Sequence, residues 1–209
     1  MVFKSKVMLV VGAHPDDVEL GCGGTIRAAT TSGTRVIAIF LTKGEKSGNP
    51  ETRCKESKDA LTVLGVNEIF FGDFPDTEIP NSYKGISYLE KFSELHKPDI
   101  VLTHTIHDTH QDHRQTAWLS LTAFRNVPTL LSYETPRATG EFRPNYFVDI
   151  SGHVEGKWKA LKCHSSQTAK RYLAYESMVS LSSFRGSQVN LIAAEAFEVI
   201  RYVEKPPNF

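Results

Sequence analysis

Val7-Met8-Leu9-Val10-Val11-Gly12-Ala13-His14-Pro15-Asp16-Asp17-Val18-Glu19 sets an unbroken apolar run directly before an imidazole and three carboxylates. A short continuous apolar run is the pattern of a strand buried on both faces, as in a parallel sheet. In open α/β sheets ligands bind beyond the carboxyl ends of the strands, which is where this charged segment falls. The same arrangement returns about ninety residues later. There Ile100-Val101-Leu102 is followed by His110-Gln111-Asp112-His113.

Working outward, apolar runs alternate with helix-like segments, which points to βαβ units. Strands are expected at 7–11, 35–41, 68–71, 99–103, 129–133 and 146–149. Asn49 as N-cap, Pro50 in the first helical position and Gly65 as a stop predict a helix over 50–64. Further helices are expected over 24–32, 113–125, 154–163 and 190–203. If the strand order is 3-2-1-4-5, the first and fourth strands are neighbours, and both charged clusters reach one crevice. No linker or low-complexity stretch divides the chain, so residues 1–209 read as a single domain.

The 209 residues are 40% hydrophobic, enough for one core without disulfides. The formal net charge is zero and no long Lys/Arg run occurs, which argues against a nucleic-acid binder. Cys22, Cys54 and Cys163 are odd in number and widely spaced, which fits a reducing compartment better than a disulfide framework. Residues 1–6 carry charges without an apolar leader-like region, and no run approaches the ~18 apolar residues of a span. A cytoplasmic location with no membrane span is therefore expected.

Pro15 biases His14 toward extended backbone, and adjacent side chains on extended chain diverge. Asp16 and Asp17 should then not face one ion equally. One can coordinate while the other stays free as a general base. The pair would equally suit a plain cap on the helix that follows through Gly21-Cys22-Gly23-Gly24. That glycine run is not GxGxxG, so a dinucleotide site is not indicated.

His104, His107, His110 and His113 recur every three residues, yet steps of three turn a helix back by ~60° and cannot aim four rings at one ion. His113, at a helix start, suits a ligand. His110 suits a catalytic imidazole, with Asp112 to fix its tautomer. His104 and His107 read as a polar strand-end loop, and Asp108 is a candidate to orient a neighbouring ring. Arg53 could clamp a phosphate or sugar hydroxyls, or form an exposed pair with Glu56. His164 reads either as a pocket residue or as a buried histidine bonded to a neighbour, and Tyr133-Glu134 as part of a pocket rim.

These residues resemble the PIG-L/LmbE family of zinc-dependent N-deacetylases. The likeness lies in Ala13-His14-Pro15-Asp16-Asp17-x-Glu19, Gly21-Cys22-Gly23-Gly24-Thr25 and His110-x-Asp112-His113. It continues through Arg53-x-x-Glu56, Lys159-Ala160-Leu161, His164-x-Ser166-Gln167 and Glu195-Ala196-Phe197, the last resembling the family's final helix. The resemblance implies a Rossmann-like three-layer sandwich with a mostly parallel sheet. It also implies Zn²⁺, or Fe²⁺ or Co²⁺ in its place, on His14, Asp17 and His113, and Asp16 as general base. His110 and Asp112 would support the oxyanion, with His110 protonated, and Arg53 would contact the substrate.

The expected reaction is removal of an acetyl group from an N-acetylated amino sugar: a glycoside, a nucleotide sugar, a lipid-linked glycan or a chitin fragment. A homo-oligomer is also expected. Two histidines and a carboxylate describe the facial triad of non-haem Fe(II) oxygenases too, and an ion that merely ties two loops together would make a binding module. A phosphoesterase would want ligands for a second metal. Substrate preference should lie in the loops at 82–86 and 137–143.

Overall fold

The computed structural model describes residues 7–204; the amino-terminal segment 1–6 lies outside the described residues. Seven strands form one sheet in the order β3-β2-β1-β4-β5-β7-β6. β1 (Val7–Gly12) is central, flanked by β2 (Arg35–Phe40) and β4 (Ile100–His104), with β3 (Glu68–Phe71) and β5 (Thr129–Tyr133) outside them. These five are parallel, which requires helical crossovers. The expected order is the one observed, and the switch point lies between β1 and β4.

Alternation along β1 shows how the layers arise. Met8 and Val10 face one core, with Ile26 of α1 (Asp17–Thr31), Leu61 of α2 (Pro50–Val63) and Ala160 of α5 (Val154–Leu161). Leu9 and Val11 face the other, with Leu89 of α3 (Tyr83–His96) and Leu119 of α4 (Gln111–Ala123). A strand clothed on both faces needs apolar residues at consecutive positions. α2 starts as its sequence dictates: Asn49 accepts the Thr52 amide at 3.0 Å, and Gly65 ends it at φ 88°.

Four elements differ from expectation. α3 has no counterpart among the expected helices, and the stretch 82–86, expected as a loop, is its N-cap Ser82 and first turn. α1 begins at Asp17 rather than Gly24, because a kink at Cys22 lets two short helical pieces join. Past the kink, the Gly24 and Thr25 amides are capped by the Glu195 carboxylate at 2.9 and 2.7 Å, which in turn takes Lys157 Nζ at 2.6 Å. The helix expected over 190–203 is instead β7 (Ala194–Tyr202), inserted antiparallel between β5 and β6 (Tyr146–Asp149). The last helix is α6 (Tyr175–Ser187), which packs on β7. Among the described residues no helix is long and apolar enough to cross a membrane.

Candidate active site

The centre of the site hangs from the segments that follow β1 and β4, with Arg53 added from α2 and Asp76 from beyond β3. Beyond β1, the Leu41 and Thr42 amides donate to Gly12 O and Ala13 O, fixing the chain where it leaves the sheet. The His14 amide then donates to Asp17 Oδ2 at 2.7 Å, closing the turn into α1. Asp16, the residue before the helix, takes φ 115°, a left-handed conformation that a non-glycine residue adopts at a cost of about 1–3 kcal/mol. Arg53 holds it there. From α2 the guanidinium donates to Pro15 O and, at 3.0 Å, to Asp16 Oδ2. Its other nitrogen reaches Gly44 O at 3.2 Å and Ser47 Oγ. Gly44, at φ 68°, leaves the room that Arg53 occupies.

The structure brings His14, Asp17 and His113 together. Asp17 lies between the rings, with His14 Nδ1 3.3 Å from Oδ2 and His113 Nε2 3.2 Å from Oδ1. The far nitrogen of each imidazole is held by acid: His113 Nδ1 meets Asp108 at 2.9 Å, and His14 Nε2 lies 3.0 Å from Asp76 and 3.1 Å from Asp112. A ligating histidine backed by a carboxylate is the ordinary arrangement around a metal. Three donor groups that could each hold an ion overlap these residues: His14 with His110 and His113, Asp17 with His104 and His113, and His14 with Asp76 and Asp112.

Two expected pairings change. The Asp112 carboxylate does not turn to His110: it faces His14 and accepts the Thr77 amide at 2.7 Å. His110 is the N-cap of α4, and its Nδ1 accepts the Asp112 amide at 3.2 Å, so the proton of the neutral ring sits on Nε2. Burial, together with the charges of His113 and His14, lowers the His110 pKa, which favours a neutral ring over the protonated one expected. Likewise Arg53 is only 1% exposed and grips Asp16, while Glu56 accepts from Ser165 and Ser166, so no exposed Arg53–Glu56 pair forms.

His104 was expected in a loop and is instead the fully buried last residue of β4. Its ring stacks on His113 at 4.0 Å, and its Nε2 accepts the Ala13 amide at 3.2 Å and lies 3.1 Å from Asp17. Burial and the neighbouring His113 push its pKa down to about 4, so it stays neutral. His107 does face outward, 3.4 Å from Glu141. Tyr133 is not at a rim. It is a core residue whose hydroxyl donates to Val11 O, and Glu134 pairs with Arg185. His164 is buried against Glu19 at 3.2 Å.

A cavity of about 220 Å³ opens onto the cluster, lined by His14, Asp16, Asp17, His110 and His113 on one side. Lys46, Arg137, Lys170 and Tyr172, none of them anticipated as site residues individually, form its mouth. Arg137 lies in one of the two stretches expected to set preference, whereas Tyr83 and Lys84 of the other, which proves to be the first turn of α3, line a separate pocket.

The electrostatics call for a cation. Burial opposes charge on His14 and His113, yet the carboxylates around them win, raising His14 well above its ordinary value and His113 to about 9. Burial pushes Asp17 up, but His113 and His104 hold it well below the carboxylate range. Burial instead raises Asp16 against the pull of Arg53. Two imidazoles and one ionised carboxylate, with their outer nitrogens already fixed, fit a divalent metal ion whose charge meets the same demand as the protons on the rings.

A family profile described as PIG-L, GlcNAc-PI de-N-acetylase, matches residues 9–124, which carry every residue of this cluster. The chain belongs to the PIG-L family. Among relatives of this PIG-L chain, the uncharacterized deacetylase YaiS of Escherichia coli is 34% identical over 171 residues, covering 78% of this chain and 92% of that protein. The diacetylchitobiose deacetylase of Thermococcus kodakarensis is 34% identical over 187 residues, covering 78% and 70%. Among solved structures, the N,N'-diacetylchitobiose deacetylase of Pyrococcus horikoshii, complexed with its inhibitor MPG, superposes with a TM-score of 0.83 at 26% identity, covering 94% of this chain and 84% of that one.

Proposed function

We propose that this PIG-L member is a zinc-dependent N-deacetylase that releases acetate from an N-acetylated amino sugar. The observation that carries this reading is the division of labour between neighbours: Asp17 faces two imidazoles, while Asp16 faces the cavity and is gripped by Arg53 instead. His14, Asp17 and His113 would hold the ion. When bound, it would polarise the acetamide carbonyl and acidify a water.

The chain supplies the rest. Asp16 accepts a proton from the attacking water and returns it to the departing amine nitrogen, a role its raised pKa suits. His110, with Nδ1 occupied by the Asp112 amide, directs Nε2–H at the developing oxyanion. Asp108 and Asp112 keep His113 and His14 oriented. Arg53 and Lys170, the latter 3.5 Å from Asp16 Oδ2, position the base. A spare carboxylate beside the cluster favours hydrolysis over an oxygenase or a purely structural ion. The relatives named as diacetylchitobiose deacetylases support an amino-sugar substrate. We place the enzyme in the cytoplasm, acting as a homo-oligomer on a small glycoside or glycan.

The test is an acetate-release screen across N-acetylated amino sugars, with metal analysis of the same preparation. Stoichiometric metal with acetate release supports the proposal. Oxygen consumption, or bound metal with no acetate from any amino sugar, defeats it.

A further inference from the structure

The segment 71–79 lines two cavities. Asp76 and Thr77 belong to the one described above, whereas Phe71, Gly72, Asp73 and Phe74 line a second, of about 480 Å³, whose other wall is α3. That volume falls in the range of small-molecule sites, about 300–1,000 Å³. Its walls carry the rings of Phe71, Phe74, Tyr83 and Tyr88, with Phe74 and Tyr88 edge to face at 5.6 Å.

α3 packs on the core through Leu89, with Ile86 and Phe92 beside it. The neighbouring stripe faces the second cavity instead: Lys84, Ser87, Tyr88 and Lys91 recur at i, i+3, i+4 and i+7, on one side of the helix. Lys84 and Lys91 are thus two turns apart, about 10 Å along the axis. Lys84 Nζ reaches across to the loop side, 5.7 Å from the centre of the Phe74 ring. The acid on that wall, Asp73, is already paired with Lys43 at 2.5 Å. An aromatic lining with cationic ends suits a planar ring that carries a carboxylate or a phosphate, its face against the rings and its charge toward an ammonium.

The same segment also steadies the His14, Asp17 and His113 cluster. Its start is tied to the end of β2, where the Gly72 and Phe74 amides donate to Phe40 O and Leu41 O at 2.8 and 3.2 Å. Two residues past Phe74, Asp76 Oδ1 lies 3.0 Å from His14 Nε2. The Thr77 amide donates to Asp112 Oδ2, which is the other acid on that imidazole. Thr77 itself sits at φ 72°, a left-handed conformation that a non-glycine residue keeps only under constraint from its surroundings. A ring wedged against Phe74 therefore presses on a short, constrained stretch whose next residues orient His14.

We propose that this second cavity is a regulatory site for a planar aromatic anion, and that its occupancy tightens the cluster's hold on a metal ion through Asp76 and Thr77. The coupling rests on the reading of that cluster as a metal site; the binding of the anion does not.

Binding is tested by calorimetric titration of metal-free and zinc-loaded protein. The probes are naphthalene-2-carboxylate and a purine nucleoside monophosphate, with naphthalene-2-methanol as the neutral match. At least one anionic probe should bind wild type about 10-fold or more tightly than the neutral one, and the better of the two distinguishes carboxylate from phosphate. Affinity should fall by a similar factor in K84A/K91A, and in S87W, which keeps both lysines but fills the space. K84A/K91A alters only exposed side chains, so it decides the matter at an unchanged thermal midpoint even if S87W does not fold. No binding to wild type, equal binding in K84A/K91A, or equal binding of the neutral probe overturns the proposal.

Coupling is read by chelator competition for zinc with and without saturating probe. Wild type should hold zinc about 5-fold or more tightly with probe, and by reciprocity zinc-loaded protein should bind the probe more tightly than metal-free protein by the same factor. K84A/K91A should show neither shift. Equal zinc affinity with and without probe overturns the regulatory role. If wild type takes up no zinc, the reading of the cluster fails and the coupling with it, while the titration still decides the cavity.

Discussion

Arg53 Nη2 lies 3.0 Å from Asp16 Oδ2, and both side chains are almost fully enclosed, at 2% and 6% exposure. The same guanidinium also ties down Pro15 O, Gly44 O and Ser47 Oγ, so one residue of α2 fixes the loops after β1 and β2. Breaking a buried pair from one side leaves the other charge uncompensated, at about 3–5 kcal/mol. Arg53→Met should therefore lower the thermal midpoint by roughly 6–20 °C for a chain of this size. It should also depress kcat more than it raises KM. Arg53→Lys, with one compact charge for four acceptors, should rescue little. A variant with wild-type stability and an altered KM alone would return Arg53 to direct substrate contact.

Asp16 and Asp17 are adjacent yet have different partners, and their variants should separate accordingly. Asp16→Asn keeps the His14, Asp17 and His113 cluster and should hold its metal while acetate release falls about 10²–10⁴-fold, the usual worth of a general base. Asp17→Asn and His113→Ala should lose metal first and activity with it. Metal analysis beside the assay reads both. If Asp16→Asn sheds metal as Asp17→Asn does, the base and ligand assignments exchange.

His104 shows which parts of the site the sequence could carry and which it could not. The strand-then-charge pattern at 7–19, the caps of α2 and the clustering of His110 with His113 are local signals, and they placed five parallel strands and one crevice. His104 carries no local signal: its partners are Ala13, Asp17 and His113, all met only through the β1–β4 pairing. Asp76 and Lys170 are likewise made site residues by tertiary contact alone. β7 was illegible for a related reason. Glu195 is a buried strand residue because it caps α1 and pairs with Lys157, and Glu198 accepts from Thr105 and the Arg143 amide, so the period-two pattern is masked by acids with remote partners.

That cap gives a stability prediction far from the chemistry. Lys157 and Glu195 are 5% and 3% exposed, and Glu195 also accepts the Gly24 and Thr25 amides. Glu195→Ala strands an ammonium and two amides and should cost about 3–5 kcal/mol in urea unfolding. Lys157→Met alone should cost less, because the carboxylate keeps its two amide donors. Adding Lys157→Met to Glu195→Ala should recover part of the loss. Additive costs in the double variant would show that the two residues do not act as a pair.

His164 supplies the pH dependence. Burial disfavours its charge, but the Glu19 carboxylate at 3.2 Å outweighs that, helped by Asp16 and Glu56, so its pKa is raised in the folded protein. A raised folded-state value means that the native state binds the proton more tightly than the unfolded chain does. The resulting stability is complete below about pH 6.5, the ordinary histidine value, and is lost as pH climbs through the folded-state value. Wild-type unfolding free energy should thus fall, as pH rises above about 6.5, more steeply than that of His164→Gln, whose amide can still donate to Glu19 but carries no proton to lose. Urea midpoints of both forms, taken at half-unit intervals at fixed ionic strength, provide the comparison. Parallel curves would mean that His164 is neutral in the fold, and the ion pair with Glu19 would be reduced to a neutral hydrogen bond.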